Sequence, residues 1–416
     1  MRSHGGPMTA PAEPRPDVLA PLRHGPFRAL AAGRTLMYFG NGLATVALGF
    51  AVLDATGSLV HLGLVVGARS LANVVLLLFG GVLADRLPRA LVLQGGCALA
   101  ALSQGLVAAA VLLGAANLPL LVVLSLVNGA AAAANLPASA ALTPQTVPRP
   151  LLRQANALVR VGVNIGMLTG MSIGTAIVGG IGPGWAIAVD AALFALAGVC
   201  FALLRLPAAA PAADGPAHPL RELAEGWTEF VSRPWVWIVV LQFMVVNATW
   251  SGTTAVLGPA IADATFGRVA WGLILMAYSA GLILGGLLAA RWQPRRALLF
   301  GVVLVAVDAV PMLGLTGTPV PLFLFAAMFL TGVAVEQFTV AWEVSVQENV
   351  PPQKLARVYS YDALGSFIAL PAGEIAAGPL AEAVGTDAAL EGMAALLLVA
   401  TGAAAASRSV RGLTRR

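Results

Sequence analysis

One lysine, two cysteines and four histidines are all that a chain of 416 residues offers for several common chemistries. The lysine, Lys354, follows Pro-Pro-Gln instead of the glycine that a Walker A loop requires, so the P-loop route to ATP hydrolysis is closed. Cys97 and Cys200 both fall inside long apolar runs, which argues against a disulfide and against a thiolate metal site. His4, His24, His61 and His218 are scattered without ligand spacing, so neither metal nor cofactor is expected. Charge is scarce as well, at 10% of residues, which is far from the basic stripe of a nucleic-acid-binding protein.

Apolar residues fill the space these absences leave. They make up 58% of the chain, with a mean hydropathy of +0.85, more than the interior of one soluble domain could hide. A helix crosses the hydrocarbon with about 20 apolar residues. The chain divides into such stretches near 30–53, 62–84, 90–113, 119–141, 159–181, 184–205, 235–257, 269–290, 297–316, 320–342, 358–381 and 387–406. The expectation is an all-α polytopic membrane protein with the lipid bilayer as its principal solvent.

If all these stretches span, every basic residue except Arg69 and Arg268 falls on one side, while the opposite loops carry mainly Asp54, Asp263, Glu382 and Asp387. The positive-inside rule then puts both termini in the cytoplasm. The net charge of +5 reports this orientation, and no nucleic-acid partner is implied. Residues 1–25 are rich in proline, glycine and arginine and lack an apolar core, as a cytoplasmic arm would.

Two stretches repeat at an offset of roughly two hundred residues. GGVLADRLPRA at Gly80 returns as GGLLAARWQPRRA at Gly285, and VPRPLLRQANALVRVG at Val147 returns as VPPQKLARVYSYDALG at Val350. Two six-span halves of the same orientation follow, related by an axis normal to the membrane. They occupy 26–205 and 234–406, joined by a polar segment at 206–233 in which Glu222, Glu225 and Glu229 share one helix face, and followed by a basic tail at 407–416. Between spans 2 and 3, Gly80 to Arg89 forms a tight charged hinge. Gly81 lets backbones approach, Asp85 can accept bonds from exposed helix-start amides, and Arg86 and Arg89 hold the basic side. Ala290 stands where the second half would repeat Asp85, so the latch belongs to the first hinge.

The hinge resembles the loop between helices 2 and 3 of the major facilitator superfamily, with Pro88 where the common form has glycine. ANAL at Ala155 and VQENVPPQKLARVYSYDALGS from Val346 resemble the exporters of siderophores and macrolides in that superfamily. The resemblance implies twelve helices in two pseudo-symmetric bundles, with helices 1, 4, 7 and 10 lining a central cavity, and transport of a small molecule. Gly170 and Gly174, with GPLAEAVG from Gly378, partly match the glycine-rich helix of exporters, although Met171 stands where that motif pairs glycine with proline. The spacing of Gly166, Gly170 and Gly174 also reads as close helix packing.

Polar groups inside spans are costly, at roughly 2.5 to 3.5 kcal/mol for a charge at the bilayer centre, and so mark candidate sites. For gating these are Gly81, Asp85, Arg86 and Arg89. For proton coupling they are Arg69 with Glu374 or Asp54 as its partner, and Glu336. For substrate they are Asn41, Asn128, Asn247, Trp250, Tyr278 and Gln337. Asp190 and Asp308 read as acids bonded to neighbouring helices. With no ATP site, a gradient remains as energy source, and one acid whose proton affinity differs between the two states of the protein suffices for coupling. The expected function is export of a hydrophobic or amphipathic small molecule by alternating access, with proton antiport, from a monomer in the plasma membrane. Uptake by symport uses the same fold. A membrane sensor or enzyme would need a soluble domain or catalytic cluster that the chain does not display.

Overall fold

The computed structural model describes residues 19–86, 88–140, 142–204, 227–228, 230–291, 294–351 and 354–413, and for 77–86, 136–137, 140, 153, 290, 355–357 and 360 the backbone alone. Twelve helices among the described residues are long and apolar enough to cross a membrane. They are α1 (Gly25–Thr56), α2 (Leu59–Arg86), α3 (Arg89–Leu112), α4 (Leu118–Ala140), α5 (Leu152–Gly180) and α6 (Pro183–Ala202). After the link come α7 (Pro234–Ala264), α8 (Arg268–Arg291), α9 (Ala297–Gly314), α10 (Pro321–Asn349), α11 (Leu355–Phe367 with Leu370–Val384) and α12 (Thr386–Ala406). Glu222, Glu225 and Glu229, and most of the arm and link, lie outside the described residues.

Three helices are less regular than hydropathy foretells, and each holds a proline. Pro311 lacks an N–H and crowds the carbonyl four residues back, and α9 tightens to a 3-10 turn over Val305–Asp308. Pro371 does the same to α11, which is interrupted between Phe367 and Leu370. Pro259 follows a π-helical segment, Gly252–Leu257, in α7, which then continues to Ala264, beyond the expected end at 257.

In the first bundle α1 packs on α5 and α6, α2 on α4, and α3 on α4 and α6; in the second α8 packs on α10, α9 on α10 and α12, and α7 on α11 and α12. The halves meet through α2 on α11 and α5 on α8, a swapped pairing that respects the twofold repeat. Small residues permit these contacts. A Cβ on Gly170 would strike the carbonyl of Phe39 and the Cα of Gly42, so α5 and α1 touch backbone to backbone. Across the halves, Gly63 of α2 lies against the carbonyl of Glu374 and Gly378 of α11 against Leu59. One buried apolar cluster runs from Leu43 and Phe50 of α1 through Val256 and Leu257 of α7 to Trp271 of α8, continuous across the interface.

Candidate functional site

Three polar groupings stand out in this apolar frame. The first is a cavity of about 200 Å³ within the amino-terminal bundle. Side chains from α1, α2, α3, α4 and α6 line it, among them Asn41, Arg69, Asn73, Asn128, Asn135 and Ser139. The Arg69 guanidinium donates to Asn41 Oδ1 over 3.4 Å, and Asn128 donates to Ser103 Oγ, also 3.4 Å. Behind the cavity, Asp190 is fully buried and accepts a 2.5 Å bond from Gln104 of α3, as an acid tied to a neighbouring helix should.

The second grouping lies where α2, α7 and α11 meet. Glu374, 4% exposed, accepts a bond from the Ser251 hydroxyl at the head of the π-helical segment. Its Oε2 is buried with no hydrogen-bond partner. The third grouping bridges the halves at the end of the molecule that carries the α1–α2 turn. Arg268, the first residue of α8, reaches across to Asp54 near the end of α1. Nη1 donates to Oδ2 at 2.8 Å and Nη2 to Oδ1 in a two-pronged pairing, while Nε donates to Asp263 at 2.6 Å. The guanidinium also sits 5.0 Å from the centre of the Phe50 ring.

This geometry changes several expectations. Arg69 pairs with neither Glu374 nor Asp54: Glu374 is held by Ser251, and Asp54 by Arg268. Arg69 points instead into a cavity of amides, because the face of α2 that carries it turns toward α1 and α4 and not toward α11. The substrate candidates divide. Asn41 and Asn128 join Arg69 in the cavity, but Asn247 donates to the Ser366 carbonyl at 2.8 Å and ties α7 to α11, and Gln337 donates to the Gly285 carbonyl at 2.8 Å and ties α10 to α8. Trp250 and Tyr278 pack ring to ring, 5.1 Å between centres, across α7 and α8. Glu336, half-buried, lies over Gly285 and Gly286 of α8. Asp308 and Asp190 are both buried with Oδ1 lacking a partner, but Oδ2 of Asp190 is bonded to Gln104 of a neighbouring helix. The side chains of Asp85 and Arg86, and the surroundings of Gly81, lie outside what is described; Arg89 opens α3. Arg268 and Ser251 went unread in the sequence as site residues. Arg268 had a signal: an isolated cation on a face whose other charges are mainly acidic.

Two six-helix bundles with a swapped interface and polar groups buried along it are the architecture of a polytopic membrane transporter. The chain belongs to the Major Facilitator Superfamily, whose family model matches residues 30–369. It is 29% identical over 377 residues to the multidrug efflux pump Tap of Mycolicibacterium fortuitum, covering 87% of this chain and 89% of the pump. It is 31% identical over 245 residues to the enterobactin exporter EntS of Shigella dysenteriae serotype 1 (strain Sd197); that match spans 58% of this chain and 57% of the exporter. Among solved structures, the nucleoside transporter NupG superposes with a TM-score of 0.74 at 16% identity, over 91% of this chain and 98% of that one. A bacterial homolog of the human lysosomal transporter Spinster, in an inward-facing and unoccupied conformation, gives 0.72 at 18% identity, over 93% and 96%. These two likenesses concern the fold.

Proposed function

We propose that the protein is a proton-coupled exporter of a hydrophobic or amphipathic small molecule, working by alternating access from the plasma membrane with both termini in the cytoplasm. The observation that carries this reading is the Asp54–Arg268 bridge, because it joins α1 of one half to α8 of the other at the face opposite the basic loops. An ion pair that spans two bundles can form in only one of their relative orientations. The likeness to an efflux pump over most of its length and to an enterobactin exporter over part of its length supports the outward direction.

Glu374 is the acid we assign to coupling. It lies at the α2–α11 contact, so parting of the halves must change its surroundings. A buried carboxylate oxygen with no donor costs on the order of several kcal/mol, and taking up a proton lowers that cost by removing the charge. Opening toward the outside would give Glu374 access to protons, and closure would strip its solvent away. Asp85, Arg86 and Arg89, with the close approach allowed by Gly81, are assigned to the gate on the cytoplasmic side. Asn41 and Asn128, with Arg69, are assigned to substrate.

The reading is tested by expressing the chain in a strain lacking efflux pumps and following accumulation of antibiotics, siderophores and dyes with and without a protonophore. Lower accumulation that the protonophore restores is expected. Gradient-driven uptake into right-side-out vesicles, without uptake into inverted ones, would overturn export in favour of symport.

A further inference from the structure

We propose that the Arg69 cavity is a subsite for the anionic group of an amphipathic organic acid, a carboxylate or similar oxyanion on an apolar body. The inference rests on the transport reading for its purpose and names the class of substrate.

A cation within a membrane span is expensive unless something answers its charge. Elsewhere this chain supplies the answer directly, since Arg268 grips two acids. Arg69 is treated differently. The bond found for its guanidinium among the described residues is a 3.4 Å contact with an amide oxygen. The carboxylates whose charge reaches it are Asp190 and Glu374. Each has one oxygen bonded elsewhere, Asp190 to Gln104 and Glu374 to Ser251, with the other oxygen buried and unpartnered, and neither residue lines the cavity. Among the described residues no acid does. The fork of five guanidinium donors therefore faces a chamber of neutral amides and hydroxyls.

Asn135 provides the second observation. It is 4% exposed, lines the cavity, and its Oδ1 has no hydrogen-bond partner. A buried amide left incomplete costs about 1–3 kcal/mol. Asn135 Oδ1 lies against Gly96 of α3, so the anion is left to Arg69, with the amides of Asn41 and Asn73 on adjoining walls. A cation would meet Arg69 with repulsion, and a neutral guest would leave the guanidinium unanswered. At about 200 Å³ the cavity admits an acid group with one small ring, so a larger apolar body must extend out of it.

The test is equilibrium binding to the full chain in nanodiscs of phosphatidylcholine, comparing salicylate and naphthoate with salicylamide and naphthamide. The carboxylates should bind about tenfold or more tightly than their amides, the worth of a charge-assisted two-pronged pairing. In Arg69→Gln that preference should vanish, with an unchanged melting temperature certifying the fold; Arg69→Lys should keep part of it, because the charge remains and the fork is lost. Asn73→Leu, if Arg69→Gln fails to fold, should cut carboxylate affinity several-fold with thermal stability unchanged. Equal binding of acid and amide, a preference that survives Arg69→Gln, or no binding of either at millimolar concentration would overturn the proposal. Repetition in discs containing phosphatidylglycerol separates soluble acids from lipid: salicylate binding abolished there would assign the cavity to a phosphate headgroup and overturn the substrate form. No gradient is present, so failure here leaves export standing, and failed export leaves the binding result intact.

Discussion

Single side chains decide which acid can sense the state of the transporter. Glu374 meets α2 of the other half through its main-chain carbonyl at Gly63 and α7 of its own half through its side chain at Ser251, whereas Asp190 is held within one bundle by Gln104. Glu374→Gln should abolish protonophore-sensitive export while leaving substrate exchange down its own gradient; active export at the original rate in that variant removes Glu374 from the mechanism. The Asp54–Arg268 pair is partly solvated, with side chains 39% and 24% exposed, so its stabilising value is about 1 kcal/mol at most and falls with salt. That is still enough to shift a two-state balance roughly fivefold. Asp54→Arg should therefore raise labelling of a cysteine placed in the α2–α11 contact from the Asp54 side, and combining it with Arg268→Asp should restore protection. A double variant as accessible as the single one would mean the pair is ornamental.

At the scale of helices, glycine and proline set what each element can do. Gly170 brings α5 against Phe39 and Gly42 of α1, so the exporter-like glycine run also serves packing. Gly170→Leu should push the two helices apart at a cost of about 1–3 kcal/mol, seen as a lower melting temperature and fewer monodisperse molecules. Gly392→Ala is the control, because no atom lies within 4 Å of the added methyl, and its melting temperature should hold or rise. The proline-linked irregularities are distributed unevenly. Those of α7 and α11 flank Glu374, which places the least regular backbone of the interface beside the acid assigned to coupling. Hydropathy saw each of these helices as one uninterrupted run, because proline barely lowers an average taken over a whole span.

At the scale of the whole molecule, the repeat and the charge asymmetry predict a single topology. Cysteines substituted for Arg86 and Arg295 should both react with an impermeant maleimide from the cytoplasmic side only. Labelling from opposite sides would break the parallel repeat and, with it, alternating access about a central axis. Spans, repeat and superfamily were all legible in the chain, since hydropathy and motif spacing are properties of neighbouring residues. The candidate site was legible only in part: Asn41, Asn128 and Arg69 were singled out, and they converge. Their partners were not legible, and Arg69 was assigned to acids that turn out to be engaged elsewhere.

The sequence by itself determined that this protein spans the membrane in two related halves, because the cost of placing each residue in lipid adds up along the chain and needs no knowledge of neighbours in space. Only the tertiary structure decided which buried charge faces which. Pairing Asp54 with Arg268, or Glu374 with Ser251, depends on how helices more than a hundred residues apart in the chain are rotated about their axes, and that rotation is set by glycine contacts and core packing between them.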